Sequence, residues 1–183
     1  MISTSKDDRK VVVNKMLSYD KEVEELEDPF LKARVMAIDS FFYKGLRDQL
    51  YKTFQSGASR ILYEMGLGYG EIMGKIIAEQ GKSRPEYYKD FVDRGKYHGM
   101  GHFQVPMLES IVSGLKGEAV IRVKRSFFAS SVGETGLVEC YIFAGQIAGA
   151  ARVVMKKEYN CIETKCTSRK DEYCEFRLRE SSE

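Results

Sequence analysis

Residues 140–154 read CYIFAGQIAGAARVV, a stretch in which Gly145 and Gly149 stand one helical turn apart beside Ala144, Ala148 and Ala151. Glycine in a helix interior costs about 1 kcal/mol relative to alanine, so two on one face need a steric reason. Either another element, the sheet being the expected neighbour, comes too close for a side chain, or the missing volume makes room for a ligand. Both readings put this helix at the centre of the fold, and the second makes Gly149 a candidate pocket residue.

The elements around it follow from periodicity. Val12, Met16, Val23 and Leu26 lie at helical spacing within residues 8–27, so the first 32 residues read as a helical lead-in ending near Pro29. Phe42, Leu46, Leu50 and Phe54 recur every four residues over 38–54, predicting a second helix. Residues 59–65 and 72–79 are read as two further helices joined by a glycine-rich turn, and Pro85 opens another over 86–94. After YHGMGHF the period becomes two: Phe103, Val105 and Met107 share one face, and Ala119, Ile121 and Val123 repeat the pattern beyond a turn at Gly114 and Gly117. Residues 130–136 read as a loop, 137–155 as a helix, and 158–166 with 174–178 as a closing pair of strands. In the last strand Cys174, Phe176 and Leu178 face the core while Glu175, Arg177 and Arg179 face out. The expectation is an α+β domain in which N-terminal helices pack with a C-terminal antiparallel four-stranded sheet, in the order hairpin, helix, hairpin.

Charge and composition exclude several functions. The 29 basic and 27 acidic residues are interspersed, giving a net charge of +2 and no basic stripe for nucleic acid. The most apolar stretch, 137–155, is interrupted by Glu139, Gln146 and Arg152, which argues for a buried helix rather than a membrane span. The opening MISTSKDDRK lacks the apolar core of a secretory signal, so a cytoplasmic location is expected. GLGYGEIMGK fails as a phosphate loop: Glu71 stands where the dinucleotide fingerprint needs glycine, and Ile76 where a P-loop needs Ser or Thr.

Two motifs carry chemistry. His98 and His102, the only histidines, flank a glycine turn, either as pocket groups able to exchange a proton near neutral pH or as ordinary turn residues. No nucleophile motif accompanies them. Cys161, Cys166 and Cys174 span a strand, a turn and a strand in C-x4-C-x7-C spacing, with Cys140 at the start of the small-residue helix. A helix N-terminus favours the thiolate that a metal requires, and soft thiolates suit a closed tetrahedral zinc site. Residue chemistry alone leaves a metal site and independent buried thiols both open.

The segments RILYEMGLGYG, RVKRSFFAS, CYIFAGQIAG and ETKCTSRKDEYCEF, in that order, resemble the 4-vinyl reductase domain family, whose fold is related to that of vesicle-tethering subunits. The resemblance spans residues 33–180 and is most specific in the last two segments. It implies a structural zinc held by Cys140, Glu163, Cys166 and Cys174; generic zinc chemistry would also allow Cys161, two residues from Glu163 on the same strand face. It further implies an apolar pocket between helices and sheet, whose lining here would include Phe127, Tyr141 and Phe143, with His98 as a polar contact. Aromatic-sensing relatives carry tryptophan near the position of Phe127, and this chain has none, so phenol recognition is not carried over. A homodimer is implied as well, in keeping with the apolar content of the N-terminal helices.

The leading expectation is a zinc-containing domain that binds an apolar or aromatic small molecule in a regulatory or accessory role without acting on it. The alternatives are a reductase or other enzyme of tetrapyrrole or hydrocarbon metabolism, against which stands the missing nucleotide fingerprint, and an interaction or tethering module.

Overall fold

The computed structural model describes residues 3–4, 10–12, 17–21, 23–81, 84–105 and 118–181. Its N-terminal part differs from the expected helix. Short strands β1 (Ser3–Thr4), β2 (Lys10–Val12), β3 (Ser18–Asp20), β4 (Glu25–Asp28) and β5 (Ala33–Val35) form an antiparallel meander in sequence order. Two features override the helical spacing. Val11 to Val13 is a β-branched run, which favours extended backbone. Leu26 pairs with Tyr19 on one side and Val35 on the other, so its neighbours are cross-strand residues rather than residues one helical turn away. Met16 lies outside the described residues.

Helix α1 (Ser40–Phe54) begins where Asp39 accepts the Phe42 N–H at 2.8 Å. Its buried residue is Tyr43, while Phe42 and Phe54, from the expected core stripe, are 56% and 52% exposed and Phe41 is 83% exposed. Helix α2 (Gly57–Ala78) is one continuous helix and not two joined by a turn. Gly66, Gly70 and Gly74 recur at four-residue spacing within it because that face is pressed against α5 (Tyr141–Met155). A Cβ on Gly66 would lie 1.9 Å from the Ile142 carbonyl oxygen, and one on Gly70 2.2 Å from that of Gln146. Reciprocally, a Cβ on Gly145 would lie 2.0 Å from the Tyr63 carbonyl oxygen, and one on Gly149 2.1 Å from that of Leu67. The close neighbour of the small-residue helix is therefore another helix backbone, where the sheet had been expected.

Helix α3 (Arg84–Tyr97) leads through the Gly99 turn, where φ is +76°, into β6 (His102–Gln104). β6 pairs with β7 (Ala119–Lys124), placing Phe103 opposite Val123; Met107 and the turn at Gly114 and Gly117 lie outside the described residues. A one-and-a-half-turn helix, α4 (Phe127–Val132), follows where loop was expected from Ser130 onward. The chain closes with β8 (Tyr159–Lys165), a short 3-10 turn (Thr167–Arg169) and β9 (Cys174–Glu180). The sheet order β6-β7-β9-β8 is antiparallel throughout.

Helix α5 lies between α2 and this sheet. Its inward residues Phe143, Ala144, Ile147, Ala148 and Ala151 meet Ile121, Val123, Cys161, Phe176 and Leu178 in one apolar cluster. Phe143 is the hub: its ring packs edge-on to Phe176 at 4.9 Å and Phe103 at 5.2 Å, and stacks with Phe91 at 6.1 Å. The four-stranded sheet, α5 and α2 thus form successive layers of an α+β domain, with the N-terminal meander as a second sheet. Among the described residues, no helix is long and apolar enough to cross a membrane.

Candidate metal centre and ligand cavities

Four elements bring the cysteines together. Cys140 ends the loop before α5, Cys166 caps the 3-10 turn, Cys174 opens β9, and Glu163 sits on β8 beside a register shift that turns the strand. One ligand atom from each lies within 4.8 Å of all the others. The Sγ atoms of Cys140 and Cys174 are 3.7 Å apart, and those of Cys174 and Cys166 3.8 Å. A disulfide needs about 2.05 Å, so these are not bridges. Thiolates about 2.3 Å from a tetrahedral zinc are separated by about 3.8 Å along each edge, which is the spacing found.

The surroundings complete the fit. Glu163 Oε2 accepts the Cys140 N–H at 2.8 Å, while Oε1 is buried with no hydrogen-bond partner among the described residues. An acceptor stranded in this way is what a cation would satisfy. The turn is fixed by Asp171 Oδ2, which accepts the Cys166 N–H at 2.8 Å, and Ser126 Oγ stands 3.3 Å from Cys140 Sγ. Thiol hydrogen bonds from Cys140 and Cys166 hold the Cys174 thiol down to about 4, making it the thiolate of the group. Burial pushes Cys140 upward and Glu163 up to about 8. Cys161 is buried, its thiol pushed up by desolvation, and it lies outside the cluster.

The expected pocket residues occupy different places. Tyr141 lines a groove of about 500 Å³ together with Tyr63, Val138, Ile162 and Glu163. His98 and Phe143 line a second, nearly closed cavity of about 20 Å³ on the other side of α5, with Met73, Phe91, Arg94 and Gln146. Phe127 lines neither; its ring packs 6.0 Å from Tyr43 and 5.7 Å from Phe128. Gly149 is buried in the seam against α2. His102 is exposed on β6, opposite Lys124.

A polar node at the second cavity was not legible in the sequence. Asp28, fully buried at the end of β4, accepts the Phe30 and Leu31 N–H groups at 3.0 Å each through Oδ1. Its Oδ2 receives Arg94 Nη2 and stands 3.1 Å from His98 Nε2. Burial, followed by the Arg94 charge, holds the His98 imidazole below its ordinary value, and burial brings Arg94 down to about 10. Arg94 and His98 are four residues apart on one helical face, a signal available in the sequence; their partner lies 66 and 70 residues away.

A layered α+β domain with a thiolate-rich knuckle at the foot of a glycine-seamed helix is the class that fold and site define. Residues 119–180 match the model of the vinyl-4-reductase (V-4-R) domain. An uncharacterized protein of Methanocaldococcus jannaschii is 27% identical over 124 residues, 67% of this chain, and the match spans 65% of that protein's length. Among solved structures, the phenol-responsive sensory domain of the transcription activator PoxR, determined with phenol, aligns over 91% of this chain and 85% of its own, with a TM-score of 0.75 at 15% identity. A vinyl-4-reductase family protein of Methanocaldococcus jannaschii gives 0.59 at 16% identity, covering 81% and 85%. A trafficking protein particle complex subunit 3 from Naegleria fowleri, covalently bound to palmitic acid, gives 0.56 at 19% identity, covering 78% and 93%. At these identities the likeness is one of fold.

Proposed function

We propose that this chain is a zinc-containing small-molecule-binding domain with a regulatory or accessory role, which holds an apolar or aromatic ligand beside α5 without transforming it. The observation that carries this reading is the convergence of His98 and Phe143 with Met73 and Phe91 on one cavity: apolar walls with a few placed polar groups are the anatomy of a ligand site. The likeness to a phenol-responsive sensory domain supports it. Zinc is structural here, because Cys140, Glu163, Cys166 and Cys174 supply four protein ligands and leave no open position for a reacting water. The groove at Tyr141 is the second reading of the ligand seat, favoured by its volume of about 500 Å³.

Native mass spectrometry of freshly purified protein tests both readings. The expected result is a co-purifying organic mass, lost on Met100→Trp at the inner cavity and kept on Ile162→Trp in the groove. The reverse pattern moves the ligand to the groove; no organic mass on the wild-type protein overturns the function. We further propose a homodimer through α1, whose Phe41, Phe42 and Phe54 form an exposed apolar side. Light scattering should return twice the 20.9 kDa chain mass, and a monomer mass throughout the micromolar range would rule it out.

A further inference from the structure

Arg94 is 5% exposed, yet its Nη1 has no hydrogen-bond partner among the described residues. The other groups of the node are spent. Asp28 accepts two backbone N–H groups on one oxygen and two side chains on the other, which fills a carboxylate. Because that carboxylate can only accept, His98 must carry its proton on Nε2, and the ring has no second donor while neutral. The cavity beside them therefore holds one unfilled donor, the free arm of Arg94.

We propose that Arg94 is the specificity-determining anchor of this pocket, and that the ligand is an uncharged molecule with a carbonyl or hydroxyl oxygen at one end of an apolar body. This rests on the small-molecule reading above and adds the chemistry of the polar end. Size and charge both point the same way. About 20 Å³ admits one oxygen-sized group and no ring, so the oxygen enters and the body lies against Tyr69, Met73 and Met100 at the rim. Arg94 is already neutralised by Asp28, so a carboxylate ligand would bring an uncompensated negative charge into a buried site. A neutral acceptor satisfies Nη1 without that penalty, and two methionines give the rim adaptable side chains.

The test uses the metal-loaded full chain and three probes of similar body: acetophenone, ethylbenzene and benzoate, titrated by calorimetry. Acetophenone should bind about tenfold or more tighter than ethylbenzene, the worth of one well-placed hydrogen bond, and tighter than benzoate. In Arg94→Lys, which keeps a cation for Asp28 but loses the fork, the preference should fall to about threefold or less. The pair Asp28→Asn with Arg94→Met removes both charges together and should abolish the preference if the lysine variant does not fold. Equal binding of acetophenone and ethylbenzene, a preference that survives in the folded variants, or a crystal grown with acetophenone showing only a water on Nη1 would each overturn the proposal. A native protein that retains an organic mass but binds none of the probes ends this inference and leaves the small-molecule reading standing; no retained mass and no probe binding ends both.

Discussion

Arg47 of α1 grips Glu139, the residue before the Cys140 ligand, at two points: Nε to Oε2 at 3.0 Å and Nη2 to Oε1 at 2.5 Å. Glu139 is fully buried, and Tyr43 Oη reaches its carbonyl oxygen at 3.5 Å, so α1 clamps the loop that delivers the thiol. Removing one partner of such a pair strands the other charge and costs about 3–5 kcal/mol. Arg47→Met should therefore lower the stability measured by urea unfolding by that much and speed metal loss to a chelator. Adding Glu139→Gln should restore part of the stability, and a double variant no better than the single one would show that the clamp does not act as a pair.

Metal content should track the cluster residue by residue. Cys166→Ser or Cys174→Ser should abolish stoichiometric zinc in elemental analysis and lower thermal stability, because metal binding free energy is folding free energy. Cys161→Ser should keep about one zinc per chain, since Cys161 stands outside the four-ligand set. Zinc loss in the Cys161 variant would move a ligand from Glu163 to that thiol.

The glycines of the seam should be unforgiving where exposed helix glycines are not. A Cβ on Gly149 would meet the Leu67 carbonyl oxygen at 2.1 Å, so Gly149→Ala must push two helix backbones apart, and a cost of about 1–3 kcal/mol is expected from overpacking. Gly68 is in the same helix as Leu67, yet nothing lies within 4 Å of its Cβ position. Gly68→Ala should accordingly stabilise the protein by about 0.5–1 kcal/mol through helix propensity. Chemical denaturation of the two variants reads the opposite signs directly.

Glu175 gives a pH signature. It is buried on the outer side of β9, and although burial pushes its carboxyl up, hydrogen bonds from Arg122, Thr164 and Arg177 outweigh that and hold it below the usual glutamate value. A carboxyl depressed in the folded state contributes stability above its unfolded value of about 4.3 and loses it as pH falls through the folded value. Glu175→Gln should therefore be less stable than the wild type near pH 7, with the gap narrowing on acidification below about pH 4. A constant gap across that range, measured by denaturant midpoints, would remove Glu175 from the acid response.

What the sequence disclosed depended on how local the cause was. The core face of β9 was legible because Cys174, Phe176 and Leu178 alternate with polar residues, and the knuckle because its ligands cluster around one hairpin. Helix α2 was misread because Gly66, Gly70 and Gly74 are unfavourable in a helix by themselves; their reason lies about 75 residues further on, in α5. The N-terminal meander failed for a related reason, since Leu26 owes its environment to Tyr19 and Val35 across strands rather than to helical neighbours. Asp28 gave no local sign of its partners, because the pairing with Arg94 and His98 closes over 66 and 70 residues.

The seam between α2 and α5 also limits how this architecture can diversify. Where main chain rests on main chain there is no side-chain layer to compress or rotate, so the two helices move as one body. The groove and the inner cavity share walls with that body, and their shapes can be altered only by what projects from it: Tyr63 and Tyr141 on one side, Met73 and Phe143 on the other. A lineage that keeps the glycines can change what these hollows admit by exchanging single side chains, with the scaffold behind them held constant.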